Sequence, residues 1–453
     1  MTTTPKDLTT IGPLFRPGSD GYDDERTGFQ RAGLHRPALV VGAAGPDDVR
    51  AAVEHAAAHR LSVTVQASGH GLGRAVDGGV LVSTHRMARV QVDPGARTAR
   101  VEAGATWQHV INAAAPHGLA PLSGSSPGVG TVSYTLGGGV GLLARRYGFA
   151  ADHVRRIDVV TPDGRPREVT ADIDPELFWA LRGGGANFGV VTAMEIDLVP
   201  VATIVGGGLY LEVAQVPDVL DAWCRWTATV PEEMTSAVAM LVFPDLPMVP
   251  ELLRGKHVAQ IQISYAGEPD AAAALLAPLR ELGPLLRDTV RELPYTESAT
   301  VFDEPDRPHA YRSENRLVDT LGPDALATLT ATAGPAAPVM CVVGLRHLGG
   351  ALARPPRIPN AVGHRDAAYS LTVLSPLEPG TDDDVRDLHR TAVAPFAGAV
   401  VGRSLNFSYG PLDDAQVLEA FAPDDHRRLA RLKARLDPDG LVRANHPVVG
   451  SAR

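Results

Sequence analysis

Between Ser68 and Gly189 the chain carries three glycine-dense segments, and they constrain its fold more than any other feature. The first is Ser68-Gly69-His70-Gly71-Leu72-Gly73, after an alternating run at Leu61, Val63 and Val65. The second is Gly124-Ser125-Ser126-Pro127-Gly128-Val129-Gly130, continued by Gly137-Gly138-Gly139-Val140-Gly141. The third is Gly183-Gly184-Gly185-Ala186-Asn187-Phe188-Gly189, which leads into an apolar run at 190–198. Glycine allows backbone to approach another group closely. Successive backbone N–H groups in such a loop form an anion nest that suits a pyrophosphate. Taken singly, each segment reads equally well as a tight turn, and His70 as a structural or exposed histidine. Taken together they imply one long ligand pressed against backbone. The P-loop lysine is missing, and no single G-x-G-x-x-G stands between a clear strand and helix.

The elements around the loops are short and mixed. Pro46, Asp47 and Asp48 open a helix with Val49, Ala52, Val53 and Ala56 on one face. A strand at 80–82 and a hairpin with strands at 90–92 and 99–102 follow, joined by Asp93-Pro94-Gly95. Thr106 caps a helix carrying Trp107, Val110, Ile111 and Ala114, and Asp174 caps another with Leu177, Phe178 and Leu181. This is not the strand–helix alternation of a dinucleotide-binding dehydrogenase. From 201 onward, alternating runs at 209–213, 238–242, 258–263, 339–345 and 369–373 predict strands, with Ala-rich or polar helices between them, such as 269–282. The last helix carries Leu429, Leu432 and Leu436 and stops at Asp437-Pro438-Asp439-Gly440. The expected organisation is a lead-in at 1–34, a ligand-binding domain at 35–200, a second domain at 201–405 and a returning segment at 406–453.

Composition removes several classes. A net charge of −10 argues against general binding to nucleic acid or an anionic membrane. Hydrophobic content of 44% suits a large soluble core. Cys224 and Cys341 match no metal spacing and read as small buried hydrophobes. Residues 1–11 are polar, without the apolar core of a secretion signal, and no run reaches the ~20 residues of a membrane span. A cytoplasmic protein is expected; oligomeric state is unreadable.

In order, these motifs resemble the FAD-linked oxidases of the vanillyl-alcohol-oxidase superfamily, with a PCMH-type FAD-binding domain, in the berberine-bridge-enzyme-like branch and similar to the 6-hydroxy-D-nicotine oxidase type. The resemblance rests on Ala67-Ser68-Gly69-His70, Val129-Gly130, the run Phe178-Trp179-Ala180-Leu181-Arg182-Gly183-Gly184-Gly185, and Asn406 and Asn445. His364-Arg365-Asp366 also matches. It implies an α+β fold: a two-lobed FAD-binding domain plus a substrate domain with an antiparallel sheet covered by helices. It further implies FAD held covalently through His70. The cofactor would lie against Ala67, Ser68, Gly69, Gly71, Leu72, Ser126, Val129, Gly130, Gly137, Gly138, Gly141, Gly189, Val190, Val191 and Asn445.

Two departures are informative. Ser126 stands where bicovalent relatives carry a cysteine, so one tether is implied. Ser404 stands where many carry a base-forming tyrosine, and a serine hydroxyl is too weakly acidic to replace a phenolate. Candidate polar groups beside the reacting centre are Tyr409, His364, Tyr134 and His446. The expected activity is hydride removal from a small alcohol or amine, with O2 as electron acceptor, in catabolism or secondary metabolism. An amine reacting in its neutral form would need no base. The alternative is a flavin-containing cyclase or lyase of natural-product biosynthesis; a flavin-binding protein without catalysis is a third possibility.

Overall fold

The computed structural model describes residues 8–449; residues 1–7 and 450–453, the start of the polar lead-in and the end of the returning segment, lie outside it. Two sheets occupy the first 200 residues. One orders its strands Leu14–Phe15, Leu39–Gly42, Val80–Ser83 and Val63–Gln66. Its last three strands run parallel, which requires a crossover. The helix Pro46–His59 supplies it and buries Val49, Ala52, Val53 and Ala56 completely. Its Pro46 begins the first turn, where a missing N–H costs nothing.

The other sheet is antiparallel, in the order Val90–Asp93, Thr98–Glu102, Val190–Asp197, Val154–Val160 and Pro166–Val169. Two helices pack on it through capped starts. Thr106 precedes Trp107–Ala114 and donates its N–H to His109 Nδ1 at 3.1 Å. Asp174 precedes Pro175–Leu181 and accepts from the Leu177 N–H at 3.3 Å. Trp107, Phe178 and Phe188 form the centre of this core.

The third sheet has nine strands. Its path runs Leu285–Asp288, Thr203–Glu212, His257–Tyr265, Met234–Val242, Val342–His347, Tyr369–Pro376, Tyr311–Val318 and Val400–Gly402, with Arg291–Pro294 also pairing to Thr203–Glu212. All its pairings are antiparallel. The strand expected at 339–345 starts later, at Val342. Side chains alternate between faces. Val238, Met240, Ile261, Val343, Leu345 and Val373 point into a core with the helices Val219–Thr227, Pro269–Arg280, Pro323–Thr332 and Asp382–Val393. The opposite face looks toward the glycine loops.

The final helix, Pro423–Leu436, buries Leu429 and Leu432, while Leu436 is only half-buried. After the stop, Val442 bridges to Val63, so this segment lies against the first sheet. Among the described residues no helix is long and apolar enough to cross a membrane.

Candidate functional site

A cavity of about 700 Å³ lies between the glycine loops and the exposed face of the nine-stranded sheet. That is within the usual range for small-molecule and cofactor sites. On the loop side the wall is largely backbone: Ala67, Gly69 to Leu72, Gly124 to Ser126, Val129, Gly137 and Gly184 to Asn187 all border it. A Cβ placed on Gly71 would meet nothing within 4 Å. The wall there is bare peptide, open to a ligand.

His70 is the most constrained side chain on this wall. Its Nδ1 is 2.9 Å from Ser68 Oγ, and the same oxygen accepts the Gly130 N–H at 3.1 Å. One hydroxyl thus joins the first two glycine segments and fixes the ring, leaving Nε2 free of that bond. Phe29 stacks on the imidazole at 4.0 Å and 11°, and the Tyr311 hydroxyl donates to the His70 carbonyl at 2.7 Å. Burial, with the charge of nearby His309, pushes the His70 pKa down to about 4. At neutral pH the ring is therefore uncharged, and a nitrogen lone pair is available.

The third glycine segment is tied to the end of the chain. Asn187 donates through Nδ2 to the carbonyls of Gly184, at 2.8 Å, and His446, at 3.3 Å, and its Oδ1 accepts the Val448 N–H at 2.9 Å. Lys433 Nζ donates to the Asn187 carbonyl and pairs with Asp437 at 2.6 Å. These bonds bring Ala444, Asn445 and His446 into the wall, where Asn445 donates to the Gly71 carbonyl at 2.7 Å. Asn406 makes the comparable tie to the second segment, donating to the Tyr134 carbonyl at 2.9 Å.

The sheet side is made of side chains. Register aligns Gln260, Ala239, Gly344 and Thr372 across adjacent strands, and beside them Gln262, Ala237 and Arg346. Tyr134 and Tyr409 border the space between the walls. Burial raises both phenols, Tyr409 to about 12, so both are protonated at neutral pH and act as hydrogen-bond donors. His446 is pushed down to about 4, first by burial and then by Arg403, and is a neutral acceptor. The Tyr134 hydroxyl, Gln260 Nε2 and His446 Nδ1 are buried without hydrogen-bond partners among the described residues. Buried polar atoms normally have partners, so these suit a bound polar molecule. Bare loop peptide on one wall and orphaned polar atoms around the cavity make it a fit for a long, polar, nucleotide-like cofactor.

The structure brings Ala67, Gly69, His70, Gly71, Leu72, Ser126, Val129, Tyr134, Gly137, Tyr409, Asn445 and His446 to this cavity, with Ser68 and Gly130 bonded behind it. The remaining candidates stand outside its wall. Gly138 faces Val362, and Gly141 lies against the Ser123 carbonyl. Gly189 abuts the Val160 carbonyl, while Val190 and Val191 are buried in a central strand, because the sheet needs apolar residues there. His364 is likewise displaced. Its ring lies against Gly402, and its neighbour Arg365 pairs with Asp152 at 2.6 Å, so this motif braces the fold. Ser404 does not border the cavity; its N–H donates to Asn315 Oδ1 at 2.7 Å. Sequence reasoning missed Phe29, Tyr311, Arg346 and the role of Asn187. Only Asn187, a polar residue within a glycine run, left a local signal. Cys224 and Cys341 are free, and burial raises the Cys341 thiol to about 11.

Comparison with known proteins agrees with this geometry. Residues 37–170 match the family FAD_binding_4, described as an FAD binding domain. The chain is 27% identical to (R)-6-hydroxynicotine oxidase of Paenarthrobacter nicotinovorans, with 97% of each chain covered. It is 26% identical to a xylooligosaccharide oxidase of Thermothelomyces thermophilus, covering 81% of this chain and 77% of that one. The fold is shared with the crystal structure of 6-hydroxy-D-nicotine oxidase from Arthrobacter nicotinovorans, at a TM-score of 0.84 and 23% identity over 98% and 99% of the two chains. It is shared equally with xylooligosaccharide oxidase from Myceliophthora thermophila, at 0.85 and 22% over 98% of each.

Proposed function

We propose that this chain, an FAD-dependent oxidoreductase of the vanillyl-alcohol-oxidase superfamily, is an oxidase that holds FAD covalently through His70 and acts on a small alcohol or amine. The observation that carries this reading is His70 itself: neutral, stacked on Phe29, fixed at Nδ1 by Ser68, and set in a wall of bare peptide. The loops at 67–72, 124–130 and 184–187, with Asn445, would hold the cofactor. When bound, FAD supplies the electron sink that takes a hydride from the substrate and passes the electron pair to O2.

The protein's own groups provide position and proton control. Tyr409 and Tyr134 orient the substrate heteroatom as donors. Neutral His446 is the acceptor available for its proton, in the role that Ser404 cannot fill. An amine entering uncharged needs no such transfer.

Acid precipitation of the purified yellow protein tests the tether, and colour left wholly in the supernatant rules it out. Peroxide release during turnover of an alcohol and amine panel tests the oxidase step. A second reading, a cyclase or lyase, is favoured by the absence of a phenolate-ready tyrosine; it predicts product formation without peroxide.

A further inference from the structure

We infer that the substrate of this site carries a carboxylate and that Arg346 anchors it. The inference rests on the oxidoreductase reading above and adds a chemical class to it. Arg346 stands on the cavity face of Val342–His347, with a side chain 19% exposed. Its guanidinium lies between two aromatic rings, 4.6 Å from the centroid of Phe302 and 4.8 Å from that of Phe407. Contact with both rings restricts the movement of the fork. Yet the fork is sparsely used. Nη2 donates to Ser125 Oγ at 3.2 Å, and the nearest carboxylate, Glu304, is 3.7 Å away, too far for a hydrogen bond. Its Nε and Nη1 donors have no hydrogen-bond partner among the described residues. Nor are they sealed in protein, as the unpaired Arg403 Nη1 is.

Glu304 is a long ion-pair partner that leaves Nε and Nη1 without an acceptor, and a part-buried guanidinium with unused donors is costly until they are met. Its planar donors match a carboxylate with two parallel bonds. Room for such a group exists in front of it. Ala237 is its partner across the strand, and Ala239 and Gly344 follow on the same face, so small residues leave a trough. Gln260 and Gln262 along the trough are neutral. Among the described residues Arg346 is the one arginine or lysine bordering the cavity, which Asp303 and Glu304 also border, and it stands on the sheet, opposite the loops whose N–H groups suit phosphate.

Binding of phenylacetate and of its neutral isostere phenylacetamide to the flavin-loaded enzyme tests this. Perturbation of the flavin absorption bands and thermal shift give two independent readings. The acid should bind at least about tenfold tighter, the scale of one charge-assisted hydrogen bond. Arg346→Met should lose that preference while keeping its flavin content, and Arg346→Lys should keep part of it. Equal binding of acid and amide, no binding of either, or a preference that survives in Arg346→Met would overturn the proposal. Loss of flavin from folded Arg346→Met would overturn it too, by giving Arg346 to the cofactor. Failure of the oxidoreductase reading looks different: no flavin band or turnover, with acid binding still visible by thermal shift.

Discussion

The two walls of the cavity are built on opposite terms. On the loop side the surface is backbone, held by glycines that mostly pack closely. On the wall itself, a Cβ on Gly184 would overlap the Ala180 carbonyl oxygen. Behind the wall, a Cβ on Gly141 would overlap the Ser123 carbonyl oxygen, and at Gly183, where φ is +121°, one would stand 2.5 Å from the Val362 nitrogen. On the sheet side, Gly344 is different: the nearest atom to an added Cβ is the Thr372 carbonyl oxygen at 3.8 Å, ordinary contact. One wall presents mainly peptide and so recognises a constant ligand through peptide groups. The other consists of side chains on a sheet whose core lies behind it, so its chemistry can change without disturbing the fold. A fixed cofactor and a variable substrate call for that division.

The division is broken most easily at the loops. Gly183→Ala and Gly141→Ala should each cost about 3 kcal/mol, the upper range for forcing atoms into packed space. Thermal unfolding and flavin content should both fall, and unchanged values for both variants would remove the contrast. Asn187→Ala comes next. It strands the Val448 N–H and removes the clamp on Gly184 and His446, a loss of about 1–3 kcal/mol. Limited proteolysis should then release the C-terminal segment sooner than in the wild type.

A pH series separates the walls on a smaller scale. His446 in the loop wall and His389 behind the sheet are both pushed down to about 4 by burial, so the folded protein refuses protons that the unfolded chain accepts. Stability from these groups is full above pH ~6.5 and is lost as pH falls toward ~4. The melting temperature should drop across that window, and His389→Asn should flatten the drop; a flat wild-type profile would contradict the burial of both rings. Smallest of all, Gly344→Ala should shift stability by no more than about 0.5 kcal/mol while raising KM through a shallower trough. A collapse in melting temperature there would show that the sheet wall is as rigid as the loops.

The same contrast explains what the sequence disclosed. The loops were legible because glycine is scarce and its clusters carry a backbone meaning, and His70 stood among them. The strands of the large sheet were legible as alternation, though one starts at Val342, later than its pattern suggested. The composition of the sheet wall was not. Arg346 faces Ala237 and stands beside Ser125 only through strand register and domain closure, which leave no local pattern. Phe29 lies in a polar lead-in without periodicity, yet it stacks on His70. His364 misled because a matched motif says nothing of direction: Arg365 turns to Asp152, and the histidine ring packs on Gly402. At Ser404, the residue type alone excluded a phenolate, and Tyr409, five positions on, borders the cavity instead.

The measurement closest to the centre of the account is a peptide map of the acid-denatured flavoprotein, read by flavin fluorescence and mass. One fluorescent peptide containing Ser68 to His70, absent from His70→Ala, is the predicted result. Flavin on any other peptide, or none retained on the wild-type chain, would contradict it.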